Sequence, residues 1–161
     1  MGGSAFAAFA GSANATGNTF SAGDANLQIS TDPVNNFGAS ISSPFTDSNK
    51  IAPGYSKQFT FYLKNASTAT IPLTIATTFN NVVDGGLGSD LTTQFTCNDA
   101  GNITTGGTFS IASMNGGNVN LGAIKSGDTA TCTVTVALPS TAGNADADKT
   151  VSFDAVFNAS Q

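Results

Sequence analysis

Apolar and polar residues alternate with a period of two along most of this chain, the pattern of strands buried on one face only. Over residues 57–65, Phe59, Phe61 and Leu63 fall on one face and Gln58, Thr60, Tyr62 and Lys64 on the other. Cys132, Val134, Val136 and Leu138 alternate as strictly with Thr131, Thr133, Thr135 and Ala137. The same period runs through Ile71, Leu73, Ile75, Thr77 and Phe79, through Leu91, Thr93, Phe95 and Cys97, and through Val151, Phe153, Ala155 and Phe157. A first strand is expected over 19–30, with Ala25, Leu27 and Ile29 inward, and a shorter one at Phe37, Ala39 and Ile41. Two more are expected at Phe109 with Ile111 and at Val119, Leu121 and Ala123, joined by a hairpin turn at Asn115-Gly116-Gly117-Asn118. Ala52-Pro53-Gly54 and Ser126-Gly127-Asp128 read as turns, and 65–70, 80–90, 98–107 and 139–148 as loops. About eight or nine short strands with turns between them predict an all-β fold. We expect a single jelly-roll-like two-sheet β-sandwich over residues 18–161.

The first 17 residues depart from this pattern. In an extended conformation Phe6, Ala8 and Ala10 face one way and Ala5, Ala7 and Phe9 the other, so both faces are apolar and both require burial. Two compatible readings arise. Ala5-Phe6-Ala7 resembles the small-residue box at the end of a secretory signal peptide, although a basic start is missing. The same stretch also reads as a strand that another molecule buries, with Gly11 to Gly17 as a flexible linker. Only about six apolar residues run together, against the roughly 20 of a membrane-spanning helix, so no membrane span is expected.

Composition narrows the class. The 161 residues include no Glu, Arg, His or Trp, and charged residues make up 9%. Thr, Asn, Ser and Gly stand where helix formers would fill exposed helical faces, which favours strands and turns. A net charge of -5 without a basic cluster lacks the footprint of nucleic-acid binding and of attraction to anionic membranes. A charge-poor surface rich in Thr and Asn points to an extracellular, secreted protein.

Without His there is no Ser-His-Asp or Cys-His nucleophile and no His-based zinc site, so no enzymatic activity and no cofactor are expected. Asp84 with Asp90, and Asp146 with Asp148, lie close in sequence, but they lack EF-hand spacing and read as solvated loop acids; no metal site is expected. A carbohydrate-binding module or adhesin is the alternative reading, since sandwiches commonly carry such sites. It lacks an aromatic platform apart from Tyr55 and Tyr62.

Cys97 and Cys132 fall in phase with inward-facing Phe95 and Val134, which predicts a disulfide in a secreted chain. Asn14, Asn65, Asn102 and Asn158 head Asn-x-Ser/Thr sequons and are candidate N-glycosylation sites, with Asn65 and Asn102 favoured because their surroundings read as turns.

Several motifs together resemble the TasA and camelysin family of secreted biofilm-matrix fibre proteins: Ala8-Phe9-Ala10, Asn18-Thr19-Phe20-Ser21-Ala22-Gly23 and Leu27-Gln28-Ile29 near the start, Ala52-Pro53-Gly54 before Phe59-Thr60-Phe61 and Lys64-Asn65, and Leu138-Pro139, Thr141-Ala142-Gly143-Asn144 and Phe157-Asn158-Ala159-Ser160-Gln161 at the end. The chain differs from that family's pattern in carrying Cys97 and Cys132 and in its scarcity of charge. The resemblance implies a jelly-roll subunit that polymerises when the N-terminal strand of one copy completes a sheet in the next, as in related archaeal bundling pili. Carried onto this chain, it makes Ala5, Phe6, Ala7, Ala8, Phe9 and Ala10 the donor strand, further copies of the chain its partner, and lateral bundling of filaments an added contact. The protease activity described for camelysin relatives does not carry over to a chain without His.

Overall fold

A computed structural model describes residues 24–42, 44–47, 50–68, 70–143 and 148–161. Eight strands are present among them: β1 (Leu27–Ser30), β2 (Ser56–Asn65), β3 (Leu73–Asp84), β4 (Thr92–Asp99), β5 (Asn102–Ser110), β6 (Val119–Ile124), β7 (Thr129–Ala137) and β8 (Val151–Ser160). They form two antiparallel sheets, one of five strands in the order β1-β2-β7-β4-β5 and one of three in the order β6-β3-β8. The chain is an all-β sandwich.

The alternation read from the sequence sets the faces. Phe61 and Leu63 on β2, Phe95 and Cys97 on β4 and Cys132, Val134 and Val136 on β7 all point inward and are buried. Leu73, Ile75, Thr77 and Phe79 of β3 oppose them from the smaller sheet, each fully buried. The layers meet through phenylalanine rings: Phe79 stacks on Phe153 at 4.2 Å between centroids, and Phe61 and Phe95 reach Phe157 at 5.1 and 6.3 Å. Edge-to-face and offset contacts of this kind add to the roughly 1.5–3 kcal/mol that full burial of each such ring contributes. Cys97 and Cys132 are direct partners across β4 and β7 and form the disulfide expected from their phase.

Several local expectations give way to tertiary structure. Residues 102–107, read as loop, belong to β5, whose polar Thr and Gly residues gain their backbone partners from β4. Ile111, read as strand, opens the one-turn helix α1 (Ile111–Met114), capped by the Ser110 hydroxyl accepting from the Ser113 amide. The 115–118 turn therefore closes no hairpin and instead carries the chain from one sheet to the other. The loop expected from residue 80 begins later, because Asn81 in a left-handed conformation (φ 50) lets a bulge form and β3 continue to Asp84. At the front, Ala25 is exposed, and of the 37–41 segment only Gly38 pairs, bridging Ile29.

The disulfide spans 35 residues. On chain-entropy grounds, replacing Cys97 and Cys132 together by Ala lowers unfolding free energy by about 3 to 4 kcal/mol in a denaturant titration. Thiol titration of the denatured, unreduced chain yields no free cysteine; two free thiols would contradict the pairing.

Candidate functional site

The two sides of the sandwich are closed differently. Where β5 and β6 meet, the sheets approach so tightly that glycine is required. A Cβ on Gly122, which lies at φ +90, would sit 2.5 Å from Thr104 Oγ1, and one on Gly106 would sit 2.6 Å from Val119 Cγ1. On the opposite side, β1 and β2 of the large sheet face β8, and among the described residues the sheets do not close.

β8 pairs with β3 along one side, and among the described residues no strand pairs along the other. Its inward side chains register with the deepest residues of β3, Ala155 with Phe79, Phe157 with Thr77 and Ala159 with Ile75. Those β3 partners are fully buried, yet Phe153, Ala155, Phe157 and Ala159 are only half-buried. A groove of about 1280 Å³ runs beside them, and every residue from 148 to 157 lines it. Its other wall comes from Leu27 and Ile29 of β1, Phe59 and Leu63 of β2, and Val136 and Leu138. Small-molecule pockets occupy roughly 300–1,000 Å³ and are compact. This cavity instead follows a strand for about 20 Å at ordinary strand rise.

The groove carries a strap. Residues 44–47 line it and bring the Phe45 ring edge-on against Phe61, Phe59 and Phe95 at 5.3, 6.1 and 6.5 Å. Asp47 anchors the strap to the large sheet, accepting from the Tyr55 hydroxyl at 2.8 Å and from the Lys57 ammonium at 3.0 Å. Lys57 also lies 5.1 Å from the centre of the Phe59 ring. On the far rim Lys50 pairs with Asp148, an exposed pair of small energetic weight. Burial, followed by the hydrogen bond to Asp47 and that carboxylate's charge, pushes the Tyr55 hydroxyl up to about 12.

The residues singled out in the sequence fall in different places. Residues 5–10, Asn14 and Asp146 lie outside the described residues. Asn102 is exposed at the β4–β5 turn, and Asn158 is exposed on the outer face of β8. Asn65 is a correction. Its side chain is fully buried, donating to the Ile124 and Ile71 carbonyls and accepting from the Ser67 amide. An amide so enclosed has neither the free nitrogen nor the room to carry a glycan in the folded protein. What reads as a glycosylation motif is a side chain that ties the following loop and the end of β6 to the end of β2.

Asp84 accepts from the amides of Gly86 and Gly88, which holds its carboxyl below the usual carboxylate range, and Asp90 accepts from the Ser89 hydroxyl. Tyr55 is engaged with Asp47, while Tyr62 stands on the outer face of β2 beside Thr131. The two tyrosines therefore do not form one sugar-stacking platform. Phe45 was missed in the sequence, where no period marks it. The available signal is a lone large apolar residue in a stretch of Ser, Pro, Thr and Asp. The chain matches no protein-family model and no curated protein.

Two measurements check this geometry. Because the folded Tyr55 hydroxyl ionises later than an unfolded one, its contribution to stability is whole below pH ~10 and is lost as pH rises toward about 12. Tyr55→Phe removes that alkaline loss, as read by denaturant unfolding across this range. Asn65→Ala leaves the Ile124 carbonyl and Ser67 amide without their partner, so stability falls by about 1–3 kcal/mol. Intact mass and peptide mapping of native material place any glycan on Asn14, Asn102 or Asn158 and none on Asn65.

Proposed function

We propose that this protein is the structural subunit of an extracellular fibre or pilus of the biofilm-matrix type, polymerising head to tail by strand donation. The observation that carries the proposal is the groove along β8. A strand that among the described residues pairs on one side only, with half-covered apolar side chains, is a template for one more strand. The occupant is the apolar segment 5–10 of another copy. Six extended residues span about 17 Å, shorter than the groove, and apolar side chains on both faces suit a strand set between the large sheet and its own exposed side. A donor that leaves its own subunit for the next makes a heterologous contact that does not close, and so a filament.

Residues 11–17 supply the crossing between subunits, and the resemblance to fibre-forming proteins agrees with the same reading. The disulfide accords with an oxidising, extracytoplasmic compartment reached by secretion through a signal peptide. The subunit acts without catalysis or cofactor, and its partner is itself. No helix among the described residues is long and apolar enough to cross a membrane.

Burial of Phe6 and Phe9 in a neighbour contributes roughly 1.5 to 3 kcal/mol each. Deleting residues 1–12 therefore yields monomers with an intact disulfide, and Phe6→Asp with Phe9→Asp does the same in the full chain. Size-exclusion chromatography and negative-stain microscopy read the outcome. Filaments from the truncated chain would refute donation, and a full-length monomer that binds polysaccharide would favour the adhesin instead.

A further inference from the structure

We propose that Phe45 is a built-in plug of the strand-accepting groove, and that the strap of residues 44–47 must withdraw before a donor strand can seat. The inference rests on reading the groove as the acceptor and concerns how that site is regulated. Phe45 meets Phe59, Phe61 and Phe95, which all belong to the inner face of the five-stranded sheet. It therefore lies in the layer that the three-stranded sheet would fill if it had another strand beside β8. Phe45 is itself only half-buried, so it covers this layer without completing it.

The strap is suited to leaving. None of residues 44–47 belongs to a strand, so its withdrawal breaks no sheet ladder. It is held to the large sheet by Asp47, through the Tyr55 hydroxyl and the Lys57 ammonium, both near the start of β2. An incoming apolar side chain replaces the Phe45 contacts with equivalent ones and adds backbone pairing to β8 that Phe45 cannot offer. Exchange thus favours the donor, while an unassembled subunit keeps the apolar floor of its groove covered. The apparent affinity of the groove is reduced by the fraction of time the plug occupies it.

The test follows filament elongation of the full-length chain, seeded with short filaments, with and without a synthetic peptide of residues 4–12. The expected results are that the peptide slows wild-type elongation and that Phe45→Ala elongates about tenfold faster than wild type. Asp47→Asn, which keeps the ring and weakens only the anchor, is also faster. Each variant is first shown to unfold cooperatively; should Phe45→Ala fail to fold, Asp47→Asn alone decides. Wild-type elongation that responds to the peptide, combined with unchanged or slower elongation of the variants, overturns the plug while leaving the acceptor reading intact. Elongation indifferent to the peptide overturns the acceptor reading itself, and the plug with it.

Discussion

Among the described residues, five strands packed against three leave part of the larger sheet's inner face without a partner layer, and the rest of the described structure answers to that mismatch. The shortfall could have been divided between both sides of the sandwich. It is not, because Gly106 and Gly122 allow β5 and β6 into close contact and seal one side. All of the deficit therefore collects along β8. Apolar surface left there attracts cover, whether from the chain's own loop or from another strand.

The polar interactions around the groove act on its cover more than on its walls. Asp47 receives both Tyr55 and Lys57 and so ties the strap to the large sheet. The walls are held by packing instead: the phenylalanine layer from Phe61 to Phe157, and the Cys97–Cys132 bridge joining the two central strands of the large sheet. In a chain with so few charges, these contacts also depend little on long-range electrostatics.

Much of the fold was legible in the residues themselves. β2 and β7 alternate so strictly that a one-residue slip would turn Phe61 or Val134 to solvent, and their positions followed directly from that period. The pairing of Cys97 with Cys132 was legible for the same reason, since the phase of each strand placed both sulfurs inward. Residues 102–107 of β5 were not legible, because their Thr and Gly residues carry no apolar period and become a strand only by pairing with β4. Asn65 shows the opposite failure: three residues spell a glycosylation motif, while the burial of the side chain depends on a loop residue six positions away and on the end of β6, 59 positions away.

What the sequence by itself determined is the local part: which residues face inward, that the class is all-β, that two cysteines meet, and that residues 5–10 are apolar on both faces. Periodicity encodes these because each depends on side chains two residues apart. Only the tertiary structure decided the order of strands, and so which edge stays open among the described residues. That choice lies in contacts between distant segments, β3 with β8, Gly122 with Thr104 and Phe45 with Phe61. No local pattern records them, because each arises from how two separately folded surfaces fit.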